Sequence, residues 1–187
     1  MAIEEIKYKV IEKEGDFEIR KYDDHIVAET LVKVSFEEAG NTAFRILFKY
    51  IDGNNTAKDS IAMTAPVSQQ KKSEKISMTA PVTMQDLSGT YRISFLMPSK
   101  YTMETIPQPL DENVKIKKEE GRIIAAYKYS GGWGKERYDK MKQKLLSIIS
   151  SRKIKTKGEP VFARYNSPFM PWLFRRNEIL IEIEYKK

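Results

Sequence analysis

The sequence predicts an α+β fold: two helices packed against one antiparallel sheet, arranged as two similar halves about a pseudo-two-fold axis. Three observations carry this expectation. Much of the chain alternates apolar and polar residues with period two, as half-buried strands do. Two segments instead repeat apolar residues every three or four positions, as helices do. Finally, a gapless shift of 97 residues lays the first half on the second: Phe17 falls on Val114, Ile19 on Ile116, Ile26-Val27-Ala28 on Ile123-Ile124-Ala125, Phe36 on Trp133, Phe44 on Met141, Phe48 on Leu145 and Ile51 on Ile148. The match is one of apolar character and order; it breaks at Ala43 and Leu47, which meet Lys140 and Lys144. One domain over 1–187 is expected, with internal halves of about 6–90 and 91–187.

Lys7 to Lys13 and Phe17 to Tyr22 read as a hairpin turning at Glu14-Gly15-Asp16. His25 to Val34 is a longer strand, with Ile26, Ala28, Thr30, Val32 and Val34 on one face. Ser35 followed by Glu38 is a capping box. It opens a helix whose stripe is Phe36, Ala39, Ala43, Phe44, Leu47, Phe48 and Ile51, ended by Asp52-Gly53-Asn54-Asn55.

A short repeat follows: IAMTAPV at Ile61 to Val67 and ISMTAPV at Ile76 to Val82, 15 residues apart and differing only at Ala62 and Ser77. The two copies are expected to be the short strands of one long hairpin, with Pro66 and Pro81 at strand ends or bulges. Met63 and Met78 then fill core, or line a ligand slot. Thr90 to Met97 is a strand, and Pro98 to Asp111, with its three prolines, is an extended connection. Val114 to Lys118 and Arg122 to Tyr129 read as a second hairpin. A second helix spans about Trp133 to Ser151, with Gly134, Tyr138, Met141, Leu145, Ile148 and Ile149 as its stripe, and strands at Val161 to Tyr165 and Glu178 to Tyr185 complete the pattern.

The composition narrows the chemistry. With no Cys, there is no disulfide, thiolate metal site, Cys nucleophile or cysteine-ligated haem. The net charge of +7 comes from 33 basic and 26 acidic residues that alternate in sign. Such a surface is solvated rather than a polyanion-binding patch, and no zinc-finger, P-loop or RNA-binding motif accompanies it, so nucleic acid is not an expected partner. The first residues, MAIEEIKYKV, are acidic within five positions and contain no long apolar run. Neither a signal peptide nor a membrane span is expected, and a cytoplasmic location follows.

FEIRKY at Phe17 to Tyr22, FKYIDGNN at Phe48 to Asn55, both MTAPV copies, FLMPSKY at Phe95 to Tyr101, PQPLDENV at Pro107 to Val114, YNSP at Tyr165 to Pro168 and RRNEI at Arg175 to Ile179 together resemble the SOUL/haem-binding-protein family. The resemblance covers nearly the whole chain, in order. It implies a distorted antiparallel β-barrel of eight to nine strands with two flanking helices, similar to gyrase-inhibitor-like and Rob-like effector-binding domains. It also implies non-covalent, exchangeable binding of haem or another tetrapyrrole in a shallow apolar cleft, as carrier, buffer or sensor. By resemblance the cleft lies beside the first helix, at Phe44, Phe48 and Lys49, and near a late loop, at Phe169, Met170 and Trp172. Some haem-binding members carry an Arg on that helix where this chain has Asn41.

A haem site needs an apolar slot, cations for the propionates and, in some cases, an axial ligand. By spacing alone Phe44 and Phe48 are core residues. Phe169 and Trp172 lie in a proline-braced loop suited to ligand or partner contact. Arg175 and Arg176 meet propionates or a sheet edge. His25, the only His, is either an exposed edge residue or an iron ligand, and a bis-His site within one chain is impossible. No nucleophile elbow or phosphate loop is present, so no enzyme is expected. Two alternatives stand beside haem binding: a small-molecule effector module without haem specificity, and a module for an unknown protein partner.

Overall fold

A computed structural model describes residues 3–57, 73–167 and 169–185. Nine strands form one antiparallel sheet: β1 (Tyr8–Glu14), β2 (Phe17–Tyr22), β3 (His25–Val32), β5 (Val82–Asp86), β6 (Tyr91–Leu96), β8 (Lys115–Glu119), β9 (Ile123–Ser130), β10 (Lys155–Arg164) and β11 (Arg176–Glu184). The short β4 (Asn55–Thr56) and β7 (Gln108–Pro109) pair separately, and the helices are α1 (Phe36–Ile51) and α2 (Lys135–Ser151). The large sheet runs β1-β2-β9-β11-β10-β5-β6-β3-β8 and is not closed: no ladder joins β1 to β8 among the described residues.

That order contains the duplication. Leaving out β1, it is a palindrome in which β2, β9, β11 and β10 match β8, β3, β6 and β5. The axis passes between β10 and β5, where Phe162 lies opposite Met84. The expected hairpin of Val114 to Lys118 with Arg122 to Tyr129 does not form. β8 pairs with β3, and β9 pairs with β2 and β11. Each half therefore lends its first strand to the other. The reading failed because alternation fixes which face a strand buries, not which strand lies beside it.

The other expected hairpin, at β1 and β2, is present and turns at Gly15, whose φ of +57° suits a residue without Cβ. The first MTAPV copy lies outside the described residues. The second is not a strand: it runs without a ladder until Val82, held by bonds from Ile76 N to Ile51 O and from Ala80 N to Glu4 O. Pro81 sits just ahead of β5, and Met78 is partly exposed.

α1 begins where the capping box places it: Glu38 N donates to Ser35 Oγ, and Glu38 Oε2 faces Ser35 N. Both helices cover one face of the sheet. α1 buries Phe36, Ala39, Ala43, Leu47, Tyr50 and Ile51, and α2 buries Tyr138, Met141, Leu145 and Ile149. The helices thus correspond at an offset of 98, not 97: Ala43 matches Met141, Leu47 matches Leu145 and Ile51 matches Ile149. One extra residue between β9 and α2 rotates the helical register by about 100°, which explains why Ala43 and Leu47 met lysines in the gapless shift. At the corrected offset Phe44 and Phe48 correspond to Lys142 and Leu146, which are only partly buried.

Candidate functional site

Side chains alternate across the sheet, so its two faces are separate environments. Ala28, Phe95, Phe162, Ile179 and Ile181 face the helices and form the main core. Tyr22, Ile124, Ala126, Tyr165 and Leu180 face the other way.

On the helix side, α1 presents a strip at Gly40, Phe44 and Phe48, four residues apart and therefore on one face. Phe44 and Phe48 stack with centroids 5.5 Å apart and planes 16° apart, and Phe44 also packs on Phe95 at 5.5 Å. Phe48 remains 44% exposed, and Lys49 is exposed beside it. Gly40 closes the strip against β10: a Cβ there would lie 2.7 Å from Arg164 Nη1. The Arg164 guanidinium lies over Trp133 at 5.0 Å and over Phe162 at 4.7 Å. On Trp133 it is joined by Arg175 at 4.3 Å. Trp133 is fixed by its indole N–H, which donates to Asn177 Oδ1 at 2.8 Å, and Asn177 Nδ2 donates to Gly131 O at 3.0 Å.

Arg164 is the unbalanced member of this group. Its Nε is buried without a hydrogen-bond partner, as is the Tyr129 hydroxyl, and among the described residues no carboxylate pairs with it. Burial lowers the guanidinium to about 10; Tyr129 opposes this and the Arg175 charge adds to it. It stays a cation at neutral pH.

The late loop leads away from this cluster. Phe169, Trp172, Leu173 and Phe174 are all more than half exposed, and Arg175 Nε donates to Met170 O at 2.8 Å. The structure therefore brings Arg175 to the Trp133 end of the strip, next to Met170. It separates Arg175 from Arg176. Arg176 points to the opposite face, where it pairs with Glu178 at 2.9 Å and Glu5 at 2.8 Å and covers the Tyr165 ring at 3.8 Å. Its charge is matched within the sheet, which accords with the sheet-edge alternative for this residue.

His25 is also on the opposite face. It lines a cavity of about 300 Å³ together with Tyr22, Arg92, Leu96, Val161 and Leu180. A second cavity, of about 430 Å³, adjoins it near Tyr101. The His25 ring is hydrogen-bonded at Nδ1 to Asp23 O at 2.9 Å, and burial holds its pKa below the ordinary value. The whole sheet lies between it and Phe44, so it cannot ligate anything held on the α1 strip. Neither of these two cavities is lined by Phe44, Phe48 or Trp172. Among the described residues, the strip is open to solvent at Phe48.

The sequence reading missed Gly40, Trp133 and Arg164. Trp133 was placed inside the second helix, whereas α2 starts at Lys135 with Gly134 as its cap. Gly40 carried a usable signal: glycine inside a helix costs about 1 kcal/mol, so its presence there points to a close approach.

The chain matches the family model described as "SOUL heme-binding protein" over residues 3–182. It is 28% identical over 174 residues to the Homo sapiens "Heme-binding protein 2", covering 88% of this chain and 80% of that protein. Among solved structures, it is similar to the C-terminal domain of EcmrR (TM-score 0.66, 10% identity, 95% of this chain and 98% of that one). It is also similar to a hydrolase from Listeria innocua (TM-score 0.54, 8% identity, 93% and 94%). At such identities the last two speak for the fold alone. Among the described residues no helix is long and apolar enough to cross a membrane.

Proposed function

Because this chain belongs to the SOUL haem-binding family, we propose that it binds haem or a related tetrapyrrole on the α1 strip, non-covalently, as a carrier or buffer. The observation that carries this reading is the stacked Phe44–Phe48 pair, which leaves Phe48 44% exposed on a helix whose other large apolar residues are mostly buried. A flat apolar ring with acidic side groups fits the residues present. Phe44 and Phe48 offer aromatic faces, Lys49 lies beside them, and Met170, whose carbonyl accepts from Arg175, is partly exposed at the Trp133 end. A bound tetrapyrrole supplies the chromophore and the metal; the chain supplies apolar contact, cations and partial exclusion of water. An open strip without His25 suits exchange more than redox turnover.

A second reading is favoured by the cavity of about 300 Å³ on the other face, at the axis between the halves. Clefts of that size and position hold small molecules, and the chain would then be an effector-binding module without preference for haem.

Hemin titration followed by Soret absorbance decides between them, using the parent, Phe48→Asp, and Thr83→Trp, which fills the opposite cavity. A saturable one-to-one change at about micromolar hemin, weakened at least tenfold (about 1.4 kcal/mol) by Phe48→Asp and untouched by Thr83→Trp, supports the first reading. The reverse pattern supports the second. Absence of any saturable change sinks the tetrapyrrole reading.

A further inference from the structure

We infer that Arg164 is a carboxylate anchor at the Trp133 end of the α1 strip, so that the strip selects planar aromatic ligands carrying a carboxylate. This rests on the reading of Phe44 and Phe48 as a ligand surface.

The argument starts from the cost of the arrangement. A guanidinium presents five N–H donors, and burying one without an anion or a full set of acceptors is unfavourable. Other arginines of this chain have a carboxylate: Arg20 and Arg176 both meet Glu178, Arg152 meets Glu12 and Glu14, and Arg92, whose Nε also lacks a hydrogen bond, still has Glu29 at 3.7 Å. Arg164 is treated differently. Its Nε is buried and unpartnered, aromatic rings flank it, and a second cation, Arg175, lies on the same tryptophan.

Gly40 gives a second, independent sign. Its counterpart on α2 at the corrected offset is Tyr138, a buried ring. α1 instead leaves the position bare, and the Arg164 guanidinium occupies the space, 2.7 Å from where a Cβ would be. The helix gives up stability at the one place where a side chain would push this cation aside. Gly40 is also in line with Phe44 and Phe48, so the cation caps the aromatic strip. From Gly40 to Phe48 is about 12 Å of helix at 1.5 Å per residue, comparable with a flat polycyclic ligand.

Arg164 has a geometric role in fork-like carboxylate recognition that a lysine would not fill. The chemistry shared by suitable ligands is an aromatic plane with one or more carboxylates at its edge, and the porphyrin propionates are one instance.

The test compares hemin with hemin dimethyl ester, which keeps the ring and iron and removes the acids, on the parent, Arg164→Gln and Gly40→Ala. The parent is expected to bind hemin at least tenfold more tightly than the ester, and both variants to bring that preference within about twofold. Gly40→Ala keeps every charge and strengthens the helix, so a loss of preference there cannot be ascribed to misfolding. A preference that persists in Arg164→Gln overturns the anchor while leaving the tetrapyrrole reading intact. In a second arm, 1-naphthoate is titrated into ¹⁵N-labelled parent protein while the Arg164 Nε–H signal is followed. If neither porphyrin binds but naphthoate moves that signal, the anchor stands and the tetrapyrrole reading falls. If naphthoate leaves the signal in place as well, both fall.

Discussion

Arg20 and Glu178, 158 residues apart in the chain, meet in a two-pronged ion pair with contacts of 2.6 and 3.0 Å, both side chains fully buried on the face away from the helices. The pair is embedded in a network: Glu18 accepts from Arg20 Nε at 2.8 Å, and Tyr165 Oη donates to Glu178 at 2.9 Å. Removing one partner of such a pair strands the other charge. Glu178→Gln is therefore expected to lower unfolding free energy by about 3–5 kcal/mol in urea titration, and adding Arg20→Met to recover part of the loss. Equal stability of parent and Glu178→Gln would contradict this account.

The same network sets an acid limit. Burial alone would raise the Glu18 carboxyl, but Arg20, Lys13 and Lys128 hold it at about 2, and Arg20 and Arg176 likewise keep Glu178 below the ordinary range against burial. A carboxyl depressed in the folded state stabilises fully above its unfolded value and loses that contribution as pH falls toward its folded one. Stability should decline slightly below about pH 6.5, where the folded state resists protonation of His25, and fall steeply between about 4.5 and 2, with roughly 3 kcal/mol of the loss due to Glu18. Glu18→Gln should flatten that profile; an unchanged slope in the variant counts against it.

Gly40→Ala should raise, not lower, the melting temperature. The helix gains up to about 1 kcal/mol, and the group that must yield is the mobile end of Arg164, not backbone. Calorimetry that shows clear destabilisation would mean that Arg164 cannot move.

Substitution of His25 by Ala should leave the hemin absorbance spectrum and affinity as in the parent, since the sheet separates His25 from α1. A changed Soret position would place the ligand on the His25 face.

What could be read from the sequence was local. Ser35 and Glu38 lie in contact along the chain, so the start of α1 was visible, as were the turn at Gly15 and the alternation of β6. Pairing was not visible, because nothing local tells β8 to join β3 instead of β9. The candidate site divided in the same way. Phe44 and Phe48 could be picked out through family resemblance, and their exposure comes from the helical register. The Arg164–Gly40 contact joins residues 124 positions apart, and Arg164 stands in a strand where a charged residue draws no notice. Arg175 and Arg176, neighbours in sequence, were taken together; the pleat sends them to opposite faces.

The exchange of first strands between the halves has a bearing on how the chain is made. Among the described residues, β11 is the only link in the sheet order between β1-β2-β9 and the remaining five strands. Among the described strands it is also the last in chain order, so it leaves the ribosome after the eight others of the sheet. Until it does, β9 and β10 each keep an open edge. Open edges of that kind invite pairing with other chains. During synthesis the nascent protein thus carries an aggregation hazard until Arg176–Glu184 emerges, and that hazard ends when a single strand slots between two that are already waiting.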